Sequence, residues 1–276
     1  MQFGNRVNLH THTIRCKHAC GTIDEYCREA IRQGVATLGF SDHAPFPDGR
    51  FGRSRMEYGE LEEYRADLER VRKEFPQLRI LAGLEVDYLP SVGKAFYEET
   101  FTPLFDYLIV GVHFIEPVRP ENNLWLPGNV ISFDVMRAYA EATVAAMESG
   151  LFRYIAHPDM FCWQCRRWTP EVAALCRTIA DAAVSLDIPL EINAYGLRKP
   201  WVDTPEGRRP GYPYRPFWEL VASRGARVVV GADAHRPEDV WGNTDEAVAF
   251  ARELGLEPVN TEVAAAIRPR KVREEA

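Results

Sequence analysis

Short apolar runs alternate along the chain with longer stretches in which apolar residues recur every three or four positions. The first kind predicts strands buried on both faces, the second amphipathic helices packed over them. The segments that read as strands are VNLH (7–10), ATLGFS (36–41), RILAGLEV (79–86), YLIVGVH (107–113), YIAH (154–157), PLEIN (189–193) and RVVVGAD (227–233). Helices are predicted between them. TIDEYCREAIRQG (22–34) opens with a capping box, in which Thr22 accepts from the backbone while Glu25 reaches back, and it stops at Gly34. EYGELEEYRADLERVRKEF (57–75) is apolar at Leu61, Tyr64, Leu68 and Val71 and charged on its other side. SFDVMRAYAEATVAAMESG (132–150) starts at a serine cap and ends at glycine. TPEVAALCRTIADAAVSL (169–186) starts with threonine then proline, the pair suited to N-cap and first helical position. PEDVWGNTDEAVAFARELG (237–255) reads as a turn and then a helix from about residue 244.

Alternation of this kind predicts βα units and an α/β fold. Seven repeats without a glycine-rich dinucleotide fingerprint favour a barrel over an open Rossmann sheet. The chain has 276 residues, with no flexible linker, charge block or internal repeat to divide it, so one domain over 1–276 is expected.

The seven histidines sharpen this picture. His10, His113 and His157 end predicted strands; His12, His43 and His235 follow strand ends within a few residues; His18 lies in the loop after the first strand. The acids Glu85, Asp87, Glu191 and Asp233 share the bias. In an α/β barrel these ends converge on one face, where the βα loops build the site. A lone strand-end histidine is usually a hydrogen-bonded structural residue, but that reading does not explain a whole set at one rim. HTH, EVD and DAH are i, i+2 pairs, whose side chains share a face in extended chain with Cα atoms ~6.6 Å apart. Two imidazoles so placed can lean onto one ion through bonds of about 2.0–2.1 Å. Imidazole with carboxylate suits zinc, iron or manganese better than calcium or magnesium, and the donors are too many for one tetrahedral ion. They suit two or three ions sharing a carboxylate.

Net charge is −7, which leaves no electrostatic footprint for nucleic acid or an anionic membrane. Neither a signal peptide nor an 18-residue apolar segment is present in the sequence, so no membrane span and a cytoplasmic setting are expected. The six cysteines then read as reduced thiols. Cys162 and Cys165 have redox-dithiol or half-knuckle spacing, but no second CxxC accompanies them.

HTH, SDHAP, GLEVDY, GVHF, AHPD and GADAH, in this order, resemble the polymerase-and-histidinol-phosphatase (PHP) family from His10 to about residue 240. Within it, CKHACGTIDEY, SDHAPFP, EINAYGLRKP and YPYRPFWE are most similar to the monofunctional histidinol-phosphate phosphatases. The resemblance implies a distorted (β/α)7 TIM-like barrel with three divalent ions (zinc, iron or manganese) at the C-terminal face of the strands. It assigns His10, His12, Glu85 and Asp233 to the first ion. Glu85 would bridge to the second, joined by His113 and His157, and His18, His43 and His235 would hold the third. The implied activity is hydrolysis of L-histidinol phosphate, a small phosphomonoester, by a metal-bridging hydroxide. Divalent ions neutralise the dianion and lower the pKa of a bound water. Asp42 or a metal-linked water would protonate the leaving group. Arg198 is expected on the phosphate, then Arg166 or Arg167, with Lys17 a weaker candidate. Asp87, Glu191 and Asn193 are candidates to support the ligands, and Tyr212 and Trp201 to flank the substrate, with ordinary packing as the alternative for these. The loops IEPVRPENNLWLPGNV after GVHF and MFCWQCRRW after AHPD depart from the phosphatase pattern. They motivate a second reading, a phosphoesterase of nucleotides or sugar phosphates. A third, a non-catalytic module, is opposed by the full ligand set. Oligomeric state is open.

Overall fold

The structure, a computed structural model, describes residues 6–117 and 131–270. Strands β1 (Arg6–Asn8), β2 (Val35–Phe40), β3 (Arg79–Val86) and β4 (Tyr107–Val110) form one parallel sheet in that order. Then come β5 (Leu190–Asn193), an antiparallel hairpin of β6 (Val202–Thr204) and β7 (Gly207–Arg209), and β8 (Val228–Gly231), which pairs in parallel with β5. Isolated bridges link the two parallel sheets. Ile155 pairs with Val110 on one side and Leu190 on the other, and Thr11 pairs with Ala234. The result is an α/β fold whose parallel sheet curls.

The described helices are α1 (Ile23–Arg32), α2 (Leu61–Glu74), α3 (Lys94–Thr100), α4 (Phe133–Glu148), α5 (Pro170–Ser185), α6 (Tyr195–Arg198), α7 (Arg215–Arg224), α8 (Thr244–Glu253) and α9 (Asn260–Ala266). Where capping chemistry was read from sequence, it forms. Thr22 N donates to Glu25 Oε2 (2.7 Å) while Glu25 N donates to Thr22 Oγ1 (3.3 Å). Thr169 and Ser132 cap α5 and α4. All four apolar positions expected on α2 are buried.

The segment 154–157 is not a strand but a single bridging residue, Ile155, a correction to the sequence reading. His157 has φ 32, outside the extended region, so the ladder stops there. β1 ends early for another reason. The Asn8 side chain accepts from the amides of His10 (3.2 Å) and Ala232 (3.1 Å), taking the place of a ladder rung. The hairpin and α3, α6, α7 and α9 were not foreseen. For α7 the signals were there: Pro216 in its first turn and Gly225 at φ 72 just past its end.

Two cores result. The outer one lies between sheet and helices; on β3 it takes Ile80, Ala82, Leu84 and Val86, which alternate with inward-facing residues. The inner one gathers Val7, Leu9, Leu81, Tyr107, Ile109, Tyr154 and Val229. It is closed at the strands' N-terminal end by Val263, Ala264 and Ile267, where Arg79 donates to the carbonyls of Ala264 and Ile267 at 2.9 Å each. Tyr107 crosses this core to place its hydroxyl 2.8 Å from Leu9 O. Only glycine fits opposite it at 83, where a Cβ would lie 2.4 Å from the Tyr107 ring. Among the described residues no helix is long and apolar enough to cross a membrane.

Candidate metal centre and cleft

Above the inner core, the same inward-facing strand positions switch from apolar to ionisable. Gly83 is followed two residues on by Glu85, and Ile109 is followed by Gly111 and then His113. Glycine recurs where ligands crowd. A Cβ on Gly111 would lie 2.2 Å from Glu85 Oε1, and one on Gly231 would lie 1.8 Å from Glu191 Oε1.

His10 Nε2, His12 Nε2, Glu85 Oε2 and Asp233 Oδ1 form one group. The two nitrogens are 3.1 Å apart. His12 Nε2 lies 3.3 Å from each carboxylate oxygen, and His10 Nε2 lies 3.4 and 3.6 Å from them. A tetrahedral ion with bonds of about 2.0–2.1 Å needs donors ~3.3–3.4 Å apart. Glu85 turns its other oxygen to a second group: Oε1 is 2.9 Å from His157 Nε2 and 3.4 Å from His113 Nε2, which are 3.2 Å from each other. Facing nitrogens at hydrogen-bond distance, shared carboxylate oxygens and a buried Asp233 Oδ1 with no hydrogen-bond partner match a divalent-metal donor set. His157 and Asp233 also hold left-handed backbone, φ 32 and 46, a strain of about 1–3 kcal/mol each that concentrates at functional sites.

The remaining imidazoles gather outside the first group. The His12 ring lies 4.5 Å from that of His43 and 4.6 Å from that of His235. His18 is 5.3 and 4.9 Å from the same two rings. His43 Nδ1 approaches Glu85 Oε2 at 3.2 Å. Cys16, unremarked in the sequence, is buried with its sulfur within 4.8 Å of the donor atoms of His12 and His235.

Neighbours fix which nitrogen His10, His113, His18 and His235 present. Glu191 takes His10 Nδ1 with both oxygens (2.9 and 3.1 Å) and also accepts from the His157 amide and from Asn193 Nδ2. Asp87 Oδ1 lies 3.1 Å from His113 Nδ1 and accepts from the His113 amide, while its Oδ2 accepts from the buried Arg55 guanidinium at 2.9 Å. Carbonyls of Cys16 and Asp233 take Nδ1 of His18 (2.7 Å) and His235 (3.0 Å). A proton held on Nδ1 leaves the Nε2 lone pair for an ion. Glu191 and Asp87 thus orient rings of the cluster, and Asn193 holds Glu191 and Asp233.

Electrostatics divide the cluster. Burial pulls the His12 imidazole down, but the close carboxylates of Asp233 and Glu85 outweigh this and hold it at about 9. His10 is likewise raised, burial being overcome by Glu191, Asp233 and Glu85. Burial wins at His43 and His235, whose pKa values fall despite Glu85 and Asp233 respectively. Glu85 and Asp233 stay well below the usual carboxylate range; burial works against this, but the surrounding imidazoles prevail.

The other expected site residues lie elsewhere. Both Asp42 oxygens are taken by Thr13, from its amide (2.7 Å) and hydroxyl (2.8 Å), so the carboxylate holds the HTHT turn instead of facing the cleft. Arg198 is turned into the protein, donating to the carbonyls of Ala232 (2.5 Å) and Gly242 (2.5 Å). Arg166 and Arg167 are exposed, and Arg166 donates to Asp203 O in the hairpin. Lys17 bonds Gly52 O and Glu57 on the rim. Tyr212 is buried against Gly196 and Trp163, its ring 6.5 Å from that of His157, and Trp201 is 49% exposed beside the hairpin. Most of the loop after GVHF lies outside the described residues. A cleft of about 530 Å³ opens over His18, His43, His113 and His235. Its other walls are Phe51, Arg53, Arg55, Phe114 and Lys199, none of them singled out from sequence.

An α/β fold with a carboxylate-bridged imidazole cluster at its strand ends defines a protein built to use divalent metal. The chain belongs to the PHP domain family, whose model matches residues 8–195. It is 31% identical over 254 residues to a probable histidinol-phosphatase of Deinococcus radiodurans, covering 89% of this chain and 92% of that one. Its fold matches the histidinol phosphate phosphatase of Lactococcus lactis, solved with zinc, L-histidinol and phosphate (TM-score 0.73, 17% identity, 92% and 95% of the two chains). It also matches structures of metal-dependent tyrosine phosphatases, YwqE of Bacillus subtilis and CpsB of Streptococcus pneumoniae (TM-score 0.51, 18% identity, 93% and 90%).

Proposed function

We propose that this protein is a metal-dependent phosphomonoesterase that hydrolyses L-histidinol phosphate to L-histidinol and phosphate. The observation that carries this is Glu85, whose two oxygens each belong to a separate group of imidazole nitrogens at metal-ligand spacing, beneath a cleft lined by further imidazoles. In this reading His10, His12, Glu85 and Asp233 hold one ion, Glu85, His113 and His157 a second, and His18, His43 and His235 a third, with zinc, iron or manganese as the metals. When bound, such ions neutralise a phosphate dianion and bring the pKa of a water toward neutrality, chemistry that no side chain of the cleft supplies alone.

The chain's own residues orient and exclude. Glu191, Asp87 and the carbonyls of Cys16 and Asp233 lock the ligand rings. Phe51 and Phe114, stacked with centroids 3.6 Å apart over the Arg55 guanidinium, offer a flat apolar wall for the imidazole end of the substrate. Asp42 and Arg198 brace the loops behind the ligands. The bridges at Ile155 and Thr11 support a seven-membered (β/α) barrel, in one domain over the whole chain. A cytoplasmic enzyme acting on a small molecule fits this reading.

The match to tyrosine phosphatase structures favours one alternative, the same chemistry on another phosphomonoester. Metal analysis of purified protein with a panel of phosphomonoesters tests both. Metal-dependent phosphate release with a strong preference for L-histidinol phosphate is expected. Turnover no faster than that of p-nitrophenyl phosphate would reject the assigned substrate, and activity near zero both with and without EDTA would reject the enzyme.

A further inference from the structure

The motif GLRKP offers two adjacent cations, and the structure sends them in different directions. Helix α6 ends at Arg198 because the next residue precedes proline, which disfavours helical backbone; Lys199 is extended, with φ −78 and ψ 160. Arg198 folds back onto the carbonyls beyond β8. Lys199 instead lines the cleft with His18, His43 and His235. Its ammonium sits 3.9 Å from the centre of the Tyr195 ring. Tyr195 in turn lies flat on His235, with centroids 4.6 Å apart and planes 14° from parallel. Lys199 is therefore positioned through Tyr195 against a candidate metal ligand.

The surroundings ask for an anion. Of the other two cations of the cleft, Arg55 is committed to Asp87 and to the Ala44 carbonyl, and Arg53 is exposed, whereas Lys199 is half-buried. Among the described residues no carboxylate forms a salt bridge with Lys199, whose ammonium lies on the face of Tyr195 and feels the Asp233 charge only at longer range. A half-buried ammonium held by a ring face keeps its N–H donors for a ligand. A phosphoryl group brought to the imidazole cluster would present to it the oxygens that metal ions leave unbound.

We propose that Lys199, not Arg198, is the side-chain cation that binds the phosphoryl group, and that it acts as a substrate-positioning residue. This rests on the phosphomonoesterase reading but not on histidinol as the alcohol.

The test uses metal-loaded protein and inorganic phosphate as the probe. Phosphate affinity is measured by calorimetry, alongside inhibition by L-histidinol, KM, kcat and metal content. Lys199→Met should weaken phosphate binding about 10–100-fold, the range for a lost hydrogen bond to a charged group. KM for the phosphomonoester should rise in step, with metal content and the effect of L-histidinol unchanged. Lys199→Arg should restore most of the phosphate affinity. Phosphate binding within twofold of wild type in Lys199→Met overturns the inference, as does an equal loss of metal or of L-histidinol inhibition. Failure of the enzymatic reading would appear differently, as wild-type protein that binds phosphate and turns over no ester.

Discussion

The inner and outer parts of the histidine cluster are built on different principles. The inner part, His10, His12, His113 and His157 around Glu85 and Asp233, stands at strand ends, is buried, and mixes imidazole with carboxylate. Its rings at His10 and His113 are oriented by the carboxylates Glu191 and Asp87. The outer part, His18, His43 and His235, has rings at His18 and His235 oriented by backbone carbonyls, and it faces the cleft. Nearby carboxylates raise the pKa values of His10, His12 and His157, whereas burial lowers those of His18, His43 and His235. A metal ion bound at His12 would therefore have to displace a proton at neutral pH, whereas one bound at His43 or His235 would not.

Glu85→Gln should break this division most severely, because both inner groups lose their common ligand. Turnover should fall by ~10³-fold or more, on the scale of a lost electrostatic stabiliser, with loss of both inner ions in elemental analysis. His18→Ala should spare the inner ions. Gly111→Ala should damage the same place sterically, since its Cβ would lie 2.2 Å from Glu85 Oε1. Overpacking of this kind costs about 1–3 kcal/mol, read as a lower urea midpoint together with lost metal. Glu191→Gln and Asp87→Asn leave every ligand in place and should weaken metal binding about 10–100-fold, measured by competition with a chromophoric chelator.

The mildest test is pH. His12 is raised to about 9 in the metal-free fold, so its proton contributes stability below about 6.5, the ordinary value, and that contribution is lost as pH rises to about 9. Metal removes the same proton. Inner-site affinity should climb across that window while outer-site affinity stays flat, and metal titrations at several pH values would show it. Parallel curves for both sites would erase the distinction between inner and outer imidazoles.

The inner part was also the more legible from sequence. Strand ends are recognisable from apolar runs, and i, i+2 parity then dictates which residues share a face, so HTH and GVHF announce their geometry. The cleft was not legible. Phe51 and Arg55 lie in DGRFGRSRM (48–56), where no periodicity shows which side chains turn inward. Arg198 and Lys199 are neighbours in sequence, and the pre-proline backbone that separates them is visible only once α6 is known to stop there. Arg166 and Arg167 could be placed after a strand but not beside an unforeseen hairpin. Asp42 fitted a catalytic motif, yet the Thr13 hydroxyl that occupies it lies 29 residues away in the chain.

The closure of the inner core has a kinetic consequence. Leu9, Tyr107 and Tyr154 fill the space beneath the ligands, and α9 with Arg79 seals the far end. Among the described residues the cluster is therefore closed from below, and the cleft opens over it from above. If substrate and product both use that cleft, a phosphate that lingers there would delay the next turnover for as long as it stays.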